Sequence, residues 1–155
     1  MNLELVTRTG RRQQPRTWGA MPAPLANVAL FANVEPEAIE DLLEACPRRE
    51  LAEGEVLVRV GEVNQTLYLI LSGRLRVHLD SLDNPPLAVL ESGENVGELS
   101  VIDHKPASAW VVADSATTLL AVDPERFWSL VHPSHAVACN MLGILAQRLR
   151  DSDAA

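Results

Sequence analysis

The 155-residue sequence has few basic side chains and little cysteine. Lys105 is its only lysine, and 13 Lys and Arg stand against 21 Asp and Glu, which gives a formal net charge of −8. Because phosphate contacts need clustered lysine and arginine, this balance argues against nucleic acid as the main partner. Cys46 and Cys139 lie far apart with no CxxC pair, in apolar helical contexts, so we expect two buried free thiols in a reducing cytoplasm.

Long apolar segments are also missing. No apolar run approaches the ~20 residues of a membrane-spanning helix, so no membrane association is expected. The basic N-terminus (Arg8, Arg11, Arg12 and Arg16) is not followed by an apolar stretch of about 7–15 residues, which argues against a signal peptide. Residues 1–24 hold several Pro and Gly and little core pattern. We interpret them as a flexible N-terminal extension, in which Trp18 is a candidate for docking on the domain.

What is present is a series of short apolar segments separated by turns, long enough for one domain with its own core. Residues 36–45 place apolar side chains three and four apart behind Pro36, which predicts a helix that Pro47 ends. Strand patterns then dominate, at residues 55–60, 67–71, 74–79, 87–90, 108–113 and 117–122. Within 74–79 an apolar face (Leu75, Val77, Leu79) alternates with a polar face (Arg74, Arg76, His78).

Two helices are predicted to close the chain. Asp123 and Pro124 begin the first helix. Ser134 begins the second, whose expected apolar stripe is Val137, Met141, Ile144, Leu145 and Leu149, with Gln147, Arg148 and Arg150 outside. Such a stripe covers either the core of the domain or a twin helix, so residues 134–151 are a candidate homodimer contact.

The whole pattern predicts an α+β fold that is mainly β. We expect a double-stranded β-helix, an eight-stranded antiparallel jelly roll, over residues 48–122. One N-terminal helix and two C-terminal helices over 123–151 complete a domain that spans residues 25–151.

Residues 97–109 read Gly-Glu-Leu-Ser-Val-Ile-Asp-His-Lys-Pro-Ala-Ser-Ala. This segment resembles the phosphate-binding cassette of the cyclic-nucleotide-binding domain family, of the catabolite activator protein and protein kinase A regulatory-subunit type. The other matching segments are Leu30-Phe31, Gly54-Glu55-Val56-Leu57, Gly61, residues 67–73, Ala109-Trp110-Val111 and Phe127. The resemblance covers residues 30–151 and implies a non-catalytic regulatory sensor with cAMP or cGMP as ligand and no cofactor.

The resemblance also implies a ligand site between the roll and the final helix. Glu98 matches the carboxylate that accepts a hydrogen bond from the ribose 2′-hydroxyl, although a carboxylate at this position can also cap a short helix. Gly97, Leu99 and Ser100 would form the turn whose N–H groups meet the cyclic phosphate. Ser108 falls on a small polar position beside the phosphate, and Ala109 on the small residue where the strand comes close. Asp151 and Ser152 fall near the adenine-contacting positions.

Ala107 stands where the family has the arginine that pairs with the phosphate. A charge-assisted hydrogen bond contributes ~1.5–3 kcal/mol, so its loss predicts a roughly ten- to several-hundred-fold weaker site. Lys105, Arg74 or Arg76 are candidates to replace it.

Three other functions are considered: a degenerate domain, an enzyme and a DNA-binding repressor. A degenerate domain would bind no cyclic mononucleotide and would serve as a dimerisation or docking module, or would bind cyclic di-GMP. The chain, which stops four residues after Asp151, is expected to be a sensor without its own output or a fragment of a longer regulator, such as the regulatory part of a diguanylate cyclase.

An enzyme of the cupin type would need a His-x-His metal site. The four histidines (His78, His104, His132 and His135) contain no such pair, and we interpret them as surface residues. A DNA-binding repressor that uses the basic N-terminal arm is disfavoured by the acidic body and by the missing helix-turn-helix.

Overall fold

The computed structural model describes residues 5–6, 12–13 and 28–154. Strands β1 (Leu5–Val6) and β2 (Arg12–Gln13) pair in an antiparallel manner. The rest of the predicted N-terminal extension, including Trp18, lies outside the described residues. Its flexibility and the docking of Trp18 therefore stay predictions.

Residues 48–122 form eight strands in two four-stranded antiparallel sheets. The first sheet has the order β3-β10-β5-β8 and the second the order β4-β9-β6-β7. The strands are β3 (Arg48–Leu51), β4 (Val56–Val58), β5 (Leu67–Ser72), β6 (Arg74–His78), β7 (Ala88–Glu91), β8 (Asn95–Val96), β9 (Trp110–Ala113) and β10 (Thr117–Val122). The predicted jelly roll of an α+β, mainly β chain is confirmed.

Helices lie before, within and after the roll. They are a 3₁₀ turn (Ala29–Phe31), α1 (Pro36–Glu44), α2 (Glu98–Asp103), α3 (Pro124–Val131) and α4 (His135–Ala154). Asp123 caps α3, since its Oδ1 accepts a hydrogen bond from the Arg126 N–H at 2.8 Å. None of the helices in the described part of the chain is long and apolar enough to cross a bilayer.

The uninterrupted apolar sequence of β5 is explained by its position between two cores. Leu67, Leu69 and Leu71 pack in the cluster shared with the helices. Tyr68 and Ile70 point the other way, into the interior of the roll. Because successive side chains of a strand alternate between faces, a strand that is buried on both faces has no polar positions.

The alternation predicted for residues 74–79 fails at its end. His78 is only 2% exposed, and its Nδ1 lies 2.9 Å from the Asn84 carbonyl oxygen, beneath the loop between β6 and β7. Leu79 lies beyond the end of β6 and is 47% exposed. The interpretation of the histidines as surface residues is therefore wrong for His78, because the loop folds over it. His104, His132 and His135 are exposed.

The two cysteines differ in burial. Cys46 is a buried free thiol, as expected. Cys139 is exposed on α4, with its Sγ 3.3 Å from His135 Nε2, so the prediction of burial is wrong for this residue. Val137 and Met141 point into the core, and a residue two positions from each of them lies on the opposite side of the helix.

Candidate ligand-binding site

A cavity of about 550 Å³ lies between the second sheet, α2 and the C-terminal part of α4. Its size is within the range of small-molecule sites, ~300–1,000 Å³. The seven residues predicted from the sequence all line it: Gly97, Glu98, Leu99, Ser100, Ala107, Ser108 and Ala109. Asp151 and Ser152 of α4 line it as well. The structure thus brings these residues together, and their binding of a ligand stays a prediction.

Gly97 forms the corner between β8 and α2. Its φ is +93°, and a Cβ there would lie 2.5 Å from the Thr66 carbonyl oxygen and 2.7 Å from Asn64 Nδ2. Asn64 itself holds its loop, because Nδ2 donates to the Thr66 oxygen at 2.9 Å and Oδ1 accepts from the Thr66 N–H at 3.3 Å. Only glycine fits both the backbone conformation and the close approach of this loop.

Glu98 is a buried carboxylate at the floor of the cavity, only 4% exposed. Its Oε2 accepts a hydrogen bond from Asn95 Nδ2 at 3.2 Å, and its Oε1 accepts one from Arg148 Nη1. No side-chain cap is made at the N-terminus of α2. Glu98 lies in the first turn of α2, and both of its oxygens bind neighbouring side chains, so both interpretations of this residue stay predictions.

Arg148 is the residue of the cavity that the sequence analysis misplaced. It was predicted on the outer face of the final helix, whereas it enters the cavity and pairs with Glu98. Its second nitrogen, Nη2, donates to the Asn95 carbonyl oxygen. The signal was present, because Arg148 lies seven residues after Met141 and four after Ile144, on the inward face of α4. Leu149, predicted inward, is exposed instead.

Ala107 lies at the cavity wall in a well-defined backbone position. Its N–H donates to the Glu62 carbonyl oxygen at 2.8 Å, and its own carbonyl oxygen accepts from the Gly61 N–H at 2.8 Å. The loop residues before it place no cation in the cavity, since Lys105 is exposed and does not line it.

The proposed replacement by Arg74 or Arg76 is also wrong. Both arginines pair with Asp114, at 3.4 Å and 3.2 Å, and neither lines the cavity. Asp114 follows β9 on the side of the sheet away from the cavity wall. Of the basic residues that the structure describes, Arg148 alone lines the cavity.

One wall of the cavity is apolar and open. It is made by Val77 near the end of β6, Leu79 beyond it, Leu87 before β7 and Leu90 within β7. Leu79 and Leu87 are 47% and 43% exposed, which is high for side chains of this size. An apolar surface that faces a cavity and is not covered by the protein is typical of a ligand-binding wall.

The cupin alternative requires a group of side chains that can bind a metal ion. Within residues 28–154 no three or more His, Cys, Asp or Glu side chains are grouped so that they could hold a metal ion.

Comparisons with known proteins point to a family that has this fold. The family model for the cyclic nucleotide-binding domain matches residues 48–134, more than half of the chain. The chain is 36% identical over 127 residues to the cyclic AMP receptor protein of Thermus thermophilus. This alignment covers 80% of this chain and 58% of that protein. It is 31% identical over 107 residues to the cAMP-dependent protein kinase regulatory subunit of Blastocladiella emersonii. This second alignment covers 68% of this chain and 27% of that protein.

A solved structure shows the same fold. The crystal structure of the Thermus thermophilus catabolite activator protein superposes with a TM-score of 0.72 at 35% identity, over 81% of this chain and 60% of that one. The chain thus spans between about a quarter and three fifths of the length of these relatives.

Proposed function

Because the chain belongs to the cyclic nucleotide-binding domain family, we propose that it is a regulatory sensor domain. Its cavity binds a cAMP- or cGMP-like cyclic nucleotide weakly, and the bound state is signalled through α4. The observation that carries this proposal is the pairing of Glu98 at the cavity floor with Arg148 of α4. A ligand that reaches Glu98 must meet the side chain that fixes the position of the helix.

Signalling follows from this shared position. A ligand shifts the equilibrium between two helix positions only by its difference in affinity for them. A sugar hydroxyl that donates to Glu98 adds a donor to the carboxylate oxygens that Arg148 and Asn95 already contact, and so changes the contact between Glu98 and Arg148. The ligand therefore favours helix positions in which Arg148 is moved or rearranged.

Weak binding follows from Ala107. The methyl group at this position supplies no charge-assisted hydrogen bond to a phosphate, and such a bond contributes ~1.5–3 kcal/mol. Ser108, which also lines the cavity, offers one neutral hydroxyl.

Thermal unfolding with about 1 mM cAMP, cGMP or cyclic di-GMP tests this function. A ligand with a Kd near 10 μM stabilises the folded state by roughly 2.7 kcal/mol, which raises the Tm by several degrees. The matched control is Glu98→Ala, for which the ligand-induced shift should vanish whatever the Tm of the free variant. The absence of a shift with all three compounds in the wild-type protein would contradict the proposal.

A second candidate is a degenerate domain that serves as a dimerisation or docking module, or binds another ligand such as cyclic di-GMP. Ala107 favours it, and so do the exposed Leu142 and Leu149 on α4. A shift with cyclic di-GMP alone would support the ligand form of this candidate.

The domain is proposed to be non-catalytic and to regulate a larger signalling protein, such as a diguanylate cyclase, in the cytoplasm. The cysteine content supports the reducing compartment, because Cys46 and Cys139 are both free thiols.

A further inference from the structure

The cavity has an acidic lining. Among the residues that the structure describes, four carboxylates (Glu94, Glu98, Asp103 and Asp151) and one guanidinium (Arg148) line it, which leaves a formal charge of −3. The guanidinium is already paired with Glu98. An incoming anion therefore finds no cation that is free of a carboxylate.

The other three carboxylates have only neutral partners. Glu94 Oε2 accepts from the Glu91 N–H at 2.7 Å, and Asp103 Oδ1 accepts from the Lys105 N–H at 3.0 Å. Asp151 Oδ1 accepts from Gln147 Nε2 at 2.9 Å. None of the three forms an ion pair with a basic side chain among the described residues, so their negative charges disfavour an anion between them.

The remaining features of the cavity attract a different kind of molecule. A carboxylate has about four lone-pair sites, and Glu98 uses one on each oxygen for a protein donor. It therefore retains capacity for a hydroxyl group. The apolar wall formed by Val77, Leu79, Leu87 and Leu90 suits a flat aromatic body.

We infer that the cavity selects an uncharged nucleoside, meaning a hydroxylated sugar joined to an aromatic base, over the anionic cyclic nucleotide with the same base. This inference rests on the proposed function, in which the cavity is the ligand site of the sensor. It replaces the phosphate as the recognised group with the sugar hydroxyls and the base.

Titration calorimetry of the wild-type protein with adenosine, guanosine, cAMP and cGMP tests the inference. We expect one nucleoside to bind at least about tenfold more tightly than its own cyclic nucleotide. Raising the salt concentration should strengthen binding of the cyclic nucleotide, because screening weakens repulsion, and should leave the nucleoside affinity unchanged.

Two variants at one position separate charge from shape. Ala107→Arg should improve cyclic nucleotide binding at least about tenfold and should shift the ratio of the two affinities towards the cyclic nucleotide. Ala107→Gln, which adds similar length without charge, should improve neither. Circular dichroism and the Tm of both variants establish that the domain is folded.

The possible results point to different conclusions. A cyclic nucleotide that binds the wild-type protein as tightly as its nucleoside would overturn the inference and leave the proposed function intact. Binding of cAMP or cGMP by Ala107→Arg alone, with no nucleoside binding to either protein, would also overturn the inference. Absence of binding by every folded protein to all four compounds would overturn both.

Discussion

Gly97 tests how strictly the corner of the cavity depends on one residue. Gly97→Ala places a Cβ 2.5 Å from the Thr66 carbonyl oxygen in a backbone conformation with φ of +93°. Both effects oppose folding, and we expect a loss of more than about 2 kcal/mol in the free energy of unfolding. Urea denaturation measures the change.

Gly143 provides the matched control for this substitution. It lies inside α4, where an added Cβ meets nothing within 4 Å. Alanine is preferred to glycine in a helix by roughly 0.5–1 kcal/mol. Gly143→Ala should therefore stabilise the protein, and two variants of equal stability would contradict the role assigned to Gly97.

Cys46 and Cys139 should differ in reactivity. Burial raises the pKa of the Cys46 thiol from 9.0 to about 11, and the thiol donates to the Leu42 carbonyl oxygen at 3.4 Å. Because the thiolate is the nucleophile, iodoacetamide at a pH near 8 should modify Cys139 in the folded protein and Cys46 only after unfolding. Mass spectrometry of the peptides measures both. Equal rates of modification in the folded protein would contradict the burial of Cys46.

The same shift has a consequence for stability. The folded pKa of Cys46 is the higher one, so above pH 9.0 the unfolded chain loses the proton first. The contribution to stability is thus complete below pH 9.0 and is lost as the pH rises to about 11. Cys46→Ala should show a smaller decrease in stability over this interval than the wild-type protein.

Local sequence patterns predicted most of the residues that line the cavity. The prediction failed for Arg148, whose contact with Glu98 joins distant parts of the chain. Gly97 to Ser100 and Ala107 to Ala109 are local in sequence, so one motif places all seven residues on the cavity. Arg148 comes 50 residues after its partner Glu98. A charged residue on an amphipathic helix is normally assigned to solvent, and only the docked position of α4 shows that Arg148 is half-buried and paired with Glu98.

The strands of the roll were predicted well where they are long. The segments at 67–71 and 117–122 agree with β5 and β10, because an apolar strand of six residues has a clear pattern. The short strands β3 and β8 were not identified individually. In β3 three of the four residues are exposed, and β8 has only two residues, so neither carries a periodic apolar signal.

The contact between α4 and the cavity floor should contribute to stability as a pair. Arg148→Met removes the cation and leaves Glu98 as a buried carboxylate without a charged partner. Removing one member of a buried ion pair costs about 3 kcal/mol, and a smaller loss is expected here because Arg148 is partly exposed. The double variant Glu98→Gln with Arg148→Met should recover most of that loss.

Arg150 is the control for the loss of an arginine from the same helix. Its side chain is exposed, so Arg150→Met should change the free energy of unfolding by less than about 0.5 kcal/mol. Urea denaturation of the four proteins gives the comparison. If the two single arginine variants were equally stable, the Arg148–Glu98 pair would not hold α4.

The outer face of α4 carries a second stripe of small and apolar residues. Cys139, Leu142, Ala146 and Leu149 are all exposed. They follow one another at intervals of three, four and three residues, which is the spacing of an a/d seam in a coiled coil. The inward residues of the helix are used by the domain core, and the second stripe is exposed among the described residues, so it can meet a twin helix.

We therefore expect a homodimer through residues 134–151, with two α4 helices packed along this seam. In light scattering at about 50 μM the wild-type protein should have the mass of a dimer, and the variant Leu142→Asp with Leu149→Asp that of a monomer. Val63→Asp is the control, because Val63 is 59% exposed, similar to the 67% and 65% of the two leucines, but lies on the loop before β5. A wild-type monomer would contradict the dimer.

The seam also predicts the direction of the two helices. In a parallel pair related by a two-fold axis, the same residue of each copy lies opposite itself. The two Cys139 thiols then meet near the N-terminal ends of the helices, and mild oxidation should link the dimer through them. In an antiparallel pair Cys139 lies opposite the C-terminal part of its partner, and no such link can form. Because α4 carries Arg148 into the cavity about two and a half turns beyond Cys139, a parallel dimer would place both ligand sites at the same end of the seam. A ligand that moves Arg148 would then alter the pairing of both helices where they end.

The variant Cys139→Ser is the control for the oxidative link. Loss of the link in this variant, with the dimer retained before oxidation, would assign the link to Cys139. A wild-type dimer that never links would favour the antiparallel arrangement.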